Sequence, residues 1–365
     1  MLRFHSIVLF QLFLISISIN SFSCAQNASF QLLSHSFAQI LGPSPHITLL
    51  YESSLPLFHE AALYYPPTGS LFVSSNQIVA SSPSTGNKSI IISRVTGLTS
   101  ASDTQLESIS APGVVLANGA AIYLNAQAKS EAYLVWCSQG DLTNTASGGI
   151  VAMSATSPYN TTTLVTSFYG KPFNSPNDVI VAEDGSLYFT DPPYGYQQGI
   201  RHAPVLPSHV YRYVPTTGGI RAMADNFVRP NGLAFSPDES VLYVTDTGSV
   251  LGNGATDLTG PASIYAFDVH EASGSPFLTN RRLFAYADAG IPDGIKVDTM
   301  GNVYAGCGDG VHVWNAGGDL AGKILVQGGV ANFGFGEAGV MFLLNEKRLY
   351  RVDLSREVMT AVQRM

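Results

Sequence analysis

Five polar residues recur along the chain about 60 residues apart, which is enough for one four-stranded repeat with its loops. In chain order they are Glu60, Asn118, Asn177, Asn231 and Asp293. A single Asn or Asp after Pro is commonly a turn residue, and Asn118 could equally be a turn residue or a substrate contact. The other four supply two carboxylates and two amide oxygens. Oxygen donors without thiols or imidazoles suit a hard divalent cation such as calcium, so the pattern predicts one cation site where these residues converge.

Each of these residues heads a segment with the pattern of a β-hairpin. The clearest segments are 175–191, 229–246 and 291–307. Each reads Pro, then Asn or Asp, then a strand of alternating apolar residues, a polar turn and a second apolar strand. Weaker copies begin at His59, Ala117 and Gly334. Alternation by two, rather than by three or four, excludes a helical solenoid.

Six hairpin-led units predict an all-β fold, a six-bladed β-propeller. In such a ring, the loop that enters the innermost strand of each blade points at the central channel on one face. The polar residues that head the hairpins would therefore meet there. We expect the strand near 46–50 to close the last blade beside 349–354, because ring closure protects exposed strand edges.

Composition limits the possible partners. The chain has 365 residues, of which 12% are charged, and its formal net charge is −8. All-β architectures of this length commonly form one domain. The sequence lacks the clustered Lys and Arg that neutralise phosphates, which excludes nucleic-acid binding. Nothing in the sequence specifies an oligomeric state.

The first 25 residues have the order of a signal peptide. Arg3 gives a positive n-region, an apolar run follows at 7–19, and small residues precede Gln26, as in cleaved secretory signals. The run is short for the alternative, a membrane anchor, which needs about 20 apolar residues. We therefore expect a secreted protein with no membrane attachment after cleavage. The expected division is 1–25 signal peptide, 26–45 N-terminal extension and 46–365 a single propeller domain.

If the protein is secreted, it can be N-glycosylated and its cysteines can form a disulfide. Asn27, Asn87 and Asn160 each begin a sequon for N-glycosylation, the acceptor pattern of secreted proteins. Cys137 and Cys307 remain after cleavage, and an oxidising compartment favours a disulfide between them. In the repeat alignment, however, they end the second strands of opposite blades, too far apart for a bridge. We predict two unpaired, buried thiols.

Four motifs carry a resemblance to a known family. They are Phe173-Asn-Ser-Pro-Asn-Asp178, Phe189-Thr-Asp-Pro-Pro-Tyr-Gly195, Arg229-Pro-Asn-Gly232 and Pro292-Asp-Gly294. With these motifs in order, the chain resembles the SMP-30, gluconolactonase and LRE-like family over most of its length, and within it the secreted fungal lactonohydrolases. The resemblance implies one divalent ion, usually calcium, at the channel mouth.

The resemblance also assigns roles to individual residues. It implies Glu60, Asn231 and Asp293 as direct ligands and Asp293 as the general base. It implies that Asn177 contacts the substrate, and often the ion through water. The family usually has Glu-Gly-Pro at the first ligand, whereas this chain has Glu60-Ala-Ala62. We therefore expect a different loop at Glu60.

The implied activity is calcium-dependent hydrolysis of a sugar-derived or related lactone, which is a carboxylic ester hydrolysis. A lactone carbonyl on the ion would be polarised, and a nearby carboxylate can take a proton from the attacking water. Other hard divalent cations would suit the same ligands. Asn177 and Asn118 are the expected substrate contacts.

Two alternatives stay open, because fold does not fix function. One is a related propeller enzyme of secondary metabolism, either an ester hydrolase or a cyclising enzyme. The other is a non-catalytic binding propeller, which has no need of Glu60 and Asp293 facing the channel. His202 and His209 flank a Pro-rich insertion that could form a lid, and we expect them to be ordinary loop histidines rather than a catalytic base. No Gly-x-Ser-x-Gly motif supports Ser-His-Asp hydrolysis.

Overall fold

A computed structural model describes residues 28–79, 88–124, 132–337 and 339–356. Over these residues, six antiparallel sheets of four or five strands form the blades of a propeller. The innermost strands of successive blades contact one another, and the sixth contacts the first. The predicted all-β, six-bladed propeller is confirmed.

The N-terminal segment and blade 1 come first in the chain. The N-terminal segment consists of β1 (Ala28–Leu32), helix α1 (His35–Leu41) and β2 (His46–Glu52). Blade 1 contains β3 (Glu60–Tyr65), a short 3-10 helix (Pro66–Thr68), β4 (Ser70–Ser74), β5 (Ile78–Val79), β6 (Lys88–Ser89), β7 (Ile92–Thr96) and β8 (Gln105–Ile109). Strands β5 and β6 pair with each other as a small hairpin between the second and third strands of the blade.

Blades 2 and 3 follow, joined by a small hairpin. Blade 2 contains β9 (Ala117–Leu124), β10 (Ala132–Ser138), a 3-10 helix (Thr145–Ser147), β11 (Gly149–Ser154) and β12 (Thr161–Val165), and the hairpin contains β13 (Ser167–Phe168) and β14 (Lys171–Pro172). Blade 3 contains β15 (Val179–Val181), β16 (Leu187–Asp191), helix α2 (Tyr194–Gln197), β17 (His209–Val214) and β18 (Gly219–Ala224).

Blades 4 to 6 complete the ring. Blade 4 contains β19 (Pro230–Phe235), β20 (Val241–Asp246), β21 (Ser263–Ala272) and β22 (Ser275–Tyr286). Blade 5 contains β23 (Ile295–Val297), β24 (Val303–Cys307), β25 (Gly310–Trp314) and β26 (Leu320–Val326). Blade 6 contains β27 (Asn332–Phe335), β28 (Val340–Asn345) and β29 (Arg348–Asp353).

The N-terminal segment completes two blades. Strand β2 pairs antiparallel with β29, with His46 opposite Asp353, so the predicted closure of the last blade is confirmed. Strand β1 pairs with β26 and adds a fifth strand to blade 5. Between them, helix α1 begins at Ser34, whose side chain caps the amide of Phe37, and Phe37 is fully buried. A side chain at Gly322 would overlap the Phe37 ring, so this glycine lets the helix pack on blade 5.

The core is divided among the blade junctions. The described residues contain six apolar clusters, and each one lies between two neighbouring blades. The second strands β4, β16 and β24 are buried at every position, because neighbouring blades cover both of their faces. The outermost strand β8 has several exposed residues. Burial therefore holds the inner strands in fixed positions around the channel.

Both cysteines lie within this core. Cys137 in β10 and Cys307 in β24 are free and buried, and they belong to blades 2 and 5, on opposite sides of the ring. The prediction of two unpaired thiols is confirmed. Burial raises the pKa of both thiols, which keeps them protonated and unreactive. Across the described ranges, no helix has the length and apolar character needed to cross a bilayer.

Candidate active site at the mouth of the channel

Each innermost strand starts with a polar residue on one face of the propeller. Glu60 and Asn332 are the first residues of β3 and β27, and the other blades place one such residue at or just before the strand. The full ring is Glu60, Asn118, Asn177, Asn231, Asp293 and Asn332. All six innermost strands run in the same direction from this face, so their starts converge at one mouth of the channel.

The glycine after the polar residue is required by close packing between blades. A side chain at Gly119 would overlap Asp178 of blade 3, and one at Gly294 would overlap Asn332 of blade 6. A Cβ atom at Gly232 would lie 2.5 Å from the Asp293 carbonyl. The recurring Asn-Gly and Asp-Gly pairs therefore combine a channel residue with a contact point for the next blade.

Blade 1 reaches the same arrangement with a different backbone. Ala61 and Ala62 have φ angles of 73° and 51°, in the left-handed region that glycine adopts most readily. The β3–β4 register shifts between Glu60 and Leu63, which indicates a bulge. Gly334 of blade 6 packs so closely on the Ala62 carbonyl that any side chain there would overlap it. Glu60 is nevertheless 3% exposed, with its carboxylate inside the channel.

The structure links three of the sequence-predicted residues directly. Glu60 Oε2 accepts a hydrogen bond of 2.7 Å from Asn332 Nδ2. Asp293 interacts electrostatically with Glu60, and the neighbouring Asn231 side chain lowers the pKa of Asp293. Asn177 and Asn118 are buried on the neighbouring blades at the same end of the channel. Their side chains hydrogen-bond neither to these three residues nor to each other in the described structure.

The carboxyl groups of the site have raised pKa values. Burial, and after it the charge of Asp293, raises the pKa of Glu60 to about 8. Burial raises the pKa of Asp293 to about 6, against the opposing effect of His59. Burial also raises the pKa of Asp178, although the positive charge of Lys296 opposes it. Three acidic groups without enough positive charge around them form a site that favours a cation.

A histidine that the sequence analysis did not select supplies one positive charge. His59 Nδ1 lies 2.6 Å from Glu346 Oε1, and Asn76 Nδ2 donates to the other oxygen of Glu346 at 3.0 Å. His59 Nε2 faces Glu60 Oε1 at 3.9 Å. Burial alone would lower the pKa of His59, but the hydrogen bond and charge of Glu346 outweigh it and raise that pKa to about 9. The ion pair with Glu346 therefore favours the protonated form of His59.

The two histidines of the Pro-rich insertion lie elsewhere. His202 is exposed. His209 begins β17, the third strand of blade 3, and its Nδ1 lies 3.1 Å from the Tyr211 hydroxyl. Neither contacts the polar ring in the described structure.

Several oxygens at the channel mouth lack partners. Among the described residues, Asn177 Oδ1, Asp178 Oδ2 and Asp293 Oδ1 are buried without a hydrogen bond. Burying such groups unpaired is costly, and three of them at one end of the channel fit a missing cation. In the described part of the chain, there is no cluster of three or more His, Cys, Asp or Glu side chains that could hold a metal ion by themselves. A cation here must also use amide oxygens, which Asn177 and Asn231 provide, and such a donor set suits a hard ion.

The sequence analysis missed three polar residues at this mouth besides His59: Asp178, Asn332 and Tyr194. Asp178 stands in the sequence where blades 2, 4 and 5 have glycine. Asn332 could have been found, because Asn332-Phe-Gly334 repeats the polar-then-glycine pattern with one residue inserted. Tyr194 belongs to a recognised motif, but no spacing rule connects it to the ring.

The sequence of this chain is similar to a known family of proteins. The model of the SMP-30/Gluconolactonase/LRE-like region matches residues 100–344, a span that contains the ring from Asn118 to Asn332 and begins after Glu60. A lactonohydrolase of Aspergillus oryzae, oryL, is 29% identical over 338 residues, covering 87% of this chain and 72% of that protein. A gluconolactonase of Zymomonas mobilis is 33% identical over 199 residues, covering 52% of this chain and 53% of that protein.

A solved structure is similar over nearly its whole length. The gluconolactonase from Xanthomonas campestris has a TM-score of 0.69 and 29% sequence identity, and the alignment covers 92% of this chain and 99% of that one. Because the alignment covers nearly all of both chains, the similarity extends over the ring of blades.

Proposed function

The chain belongs to the SMP-30/gluconolactonase/LRE-like family, and on that premise we propose that it is a lactone hydrolase acting at the channel mouth. The similarity to a lactonohydrolase and to two gluconolactonases supports this reaction. The site would hold one divalent cation, calcium or another hard ion, with Glu60, Asn231 and Asp293 as ligands. The substrate class is a sugar-derived or related lactone.

One observation carries the proposal. Asp293 Oδ1 is buried without a partner, in electrostatic contact with a second buried carboxylate, Glu60. Two carboxylates so close together repel each other when both are ionised, and a cation between them removes the repulsion. A binding propeller gains nothing from such a pair, whereas a hydrolase can use both carboxylates as ligands and one of them also as a base.

The residues of this chain have distinct tasks in the reaction. When bound, the cation polarises the lactone carbonyl and stabilises the negative charge that develops on its oxygen. Asp293 accepts a hydrogen bond from the attacking water and takes its proton as the new bond to the carbonyl carbon forms. The ring C–O bond then breaks, and the proton passes to the leaving alkoxide, which gives the open hydroxy acid. Asn177 and Asn118 would hydrogen-bond the lactone.

The test is a substrate panel with controlled metal content. Full-length protein would be treated with a chelator, verified as metal-free, and assayed on aldonolactones, pantolactone and aryl esters with and without calcium. We expect calcium-dependent hydrolysis of lactones, with no preference for zinc. Full activity in the metal-free sample would exclude the cation mechanism. Activity on aryl esters alone would favour the ester-hydrolase alternative.

We also propose that the protein is secreted and glycosylated. Asn160 is exposed at the start of β12, where an oligosaccharide can be attached. Asn27, Asn87 and the signal peptide at 1–25 lie outside the described residues. Removal of N-glycans from secreted protein should lower its mass, and Asn160→Gln should remove one glycan. An unchanged mass would exclude glycosylation.

A further inference from the structure

The connection between the second and third strands is long in some blades and short in others. This connection lies on the face of the polar ring, because the second strand of each blade runs antiparallel to the innermost strand. Blades 1 to 4 continue there into the β5–β6 hairpin, the 3-10 helix at Thr145–Ser147, helix α2 and the loop 247–262. Blades 5 and 6 turn at once into their third strands, at 308–309 and 346–347. The channel mouth therefore has additional structure on one side only.

Two hydrogen bonds join the hairpin of blade 1 to the helix of blade 3. Gln77, just before β5, donates from Nε2 to Gln198 Oε1 at 2.7 Å. Lys88 of β6 donates from Nζ to the Gln198 carbonyl at 2.5 Å. Gln198 is the C-cap of helix α2. Because blade 2 separates blades 1 and 3 in the ring, the hairpin and the helix meet only by extending toward each other on the polar face.

The other side of helix α2 is held by blade 4. Gln197 Oε1 accepts hydrogen bonds from Arg229 Nε at 3.1 Å and from the Gly252 amide at 2.8 Å. The Tyr194 hydroxyl contacts Thr247 Oγ1. The hairpin of blade 1, helix α2 and the loop 247–262 of blade 4 therefore form one connected structure, which we call the bridge. Blades 1 and 4 are opposite in a ring of six, so the bridge reaches from one side of the mouth to the other.

Exposure of the polar residues agrees with a mouth that is covered on one side. The ring residues of blades 2, 3 and 4 are all buried, with exposures of 6%, 5% and 4%: Asn118, Asn177 and Asn231. Asp293 of blade 5 is half-buried, and the Glu346 side chain of blade 6 is 41% exposed. Asn332 of blade 6 is buried where it donates to Glu60. A substrate therefore approaches the ring from the side of blades 5 and 6.

We propose that the bridge limits the size of the lactone, and that Gln77, Lys88 and Gln198 are specificity-determining residues because they hold the bridge closed. The proposal rests on the proposed function, because it assumes that the lactone binds at the polar ring. A ring substituent that points toward blades 2 to 4 meets helix α2, which is held on both sides. Lactones with small or no substituents are therefore preferred to lactones with a long alkyl chain.

The test compares two lactones that share one ring, δ-valerolactone and δ-decalactone, which differ by a pentyl chain. The double variant Gln77→Ala/Lys88→Met removes both hydrogen bonds from blade 1 and leaves the contacts of helix α2 with blade 4. Its kcat/KM for δ-decalactone should rise about tenfold, while kcat/KM for δ-valerolactone stays close to that of wild type. Gln105→Ala/Lys171→Met is the matched control, because both residues are exposed on outer strands away from the bridge. Its values should match wild type.

Single variants keep the test decisive if the double variant fails to fold. Lys88→Met removes one hydrogen bond and should raise the preference for δ-decalactone, whereas Lys88→Arg keeps a donor and should retain the wild-type preference. An unchanged preference in the folded variants, or a wild-type protein that hydrolyses both lactones equally well, would overturn the role of the bridge alone. A wild-type protein that hydrolyses no lactone would overturn the proposed function and this role together.

Discussion

Blades 1 and 5 each place a carboxylate at the channel mouth, but their backbones differ. In blade 5, Asp293 is followed by Gly294. Asn332 occupies the space that any side chain at this position would need. In blade 1, Glu60 is followed by two alanines with left-handed φ angles, which cost free energy for any residue with a Cβ atom. The glycine of blade 5 is therefore a packing requirement, whereas blade 1 tolerates a backbone strain.

The two carboxylates also differ in their surroundings. Glu60 is 3% exposed and accepts a hydrogen bond from Asn332, whereas Asp293 is half-buried and keeps one oxygen unpartnered. A buried carboxylate with one oxygen held by a neighbouring amide is suited to hold a cation. A carboxylate that is partly exposed and keeps one oxygen without a hydrogen bond is suited to accept a proton from water. We therefore propose that Glu60 of blade 1 only binds the cation, whereas Asp293 of blade 5 binds it and also takes the proton.

The largest expected effect is that of Asp293→Asn. Loss of a general base typically costs about 100-fold or more in rate, and we expect that loss in kcat even at saturating calcium. The measurement is steady-state hydrolysis of the best lactone of the panel. Asp319→Asn, on an exposed turn of the same blade, is the control and should retain full activity. Wild-type turnover in Asp293→Asn would remove this residue from proton transfer.

Glu60→Gln should weaken calcium binding more than it slows the hydrolysis step. The substitution removes one ligand charge, so we expect calcium affinity to fall by about tenfold or more while kcat recovers at high calcium. Activity measured as a function of calcium concentration separates the two effects. If kcat stays as low as in Asp293→Asn at saturating calcium, the division of roles between the two blades is wrong.

The pH dependence of stability is a smaller effect of the same pair. In the metal-free protein, burial raises the pKa of Glu60 to about 8 and that of Asp293 to about 6, both well above the usual range of a carboxyl group. A raised pKa means that the folded state favours the protonated acid, so this stabilisation is lost as pH rises through these values. Calcium needs the ionised forms. The increase in melting temperature on adding calcium should therefore be larger at pH 8 than at pH 5. An increase that does not depend on pH would contradict the proposal that calcium binds the ionised forms of these two carboxyl groups.

The smallest effect concerns the strained alanines. Ala61→Gly should stabilise the protein by up to about 1 kcal/mol, because glycine adopts this φ angle without strain. Ala234→Gly, at a buried position of strand β19, should instead destabilise it. Thermal or denaturant unfolding measures both. A loss of stability in Ala61→Gly would mean that the left-handed backbone of blade 1 is not strained.

The sequence allowed the propeller, the closing strand and the unpaired thiols to be predicted, because apolar alternation and repeat spacing follow directly from how blades pack. It also identified five residues of the polar ring by their shared place in each repeat. It did not identify Glu346, which lies in the turn after β28 and reaches His59 only because the ring closes. Nor did it show that alanines could replace Gly-Pro at Glu60, since backbone strain has no signal in a hydrophobic pattern.

The way the ring closes also bears on synthesis of the protein. Strands β1 and β2, near the start of the chain, pair with β26 and β29, near its end. During translation, β1 and β2 are made before their partners and must wait until blades 1 to 4 have followed. Contacts so distant in sequence form late, because chain entropy opposes them. Blades 1 to 4 can therefore assemble while translation continues, whereas blades 5 and 6 gain their outer strands only after β26 and β29 have been made.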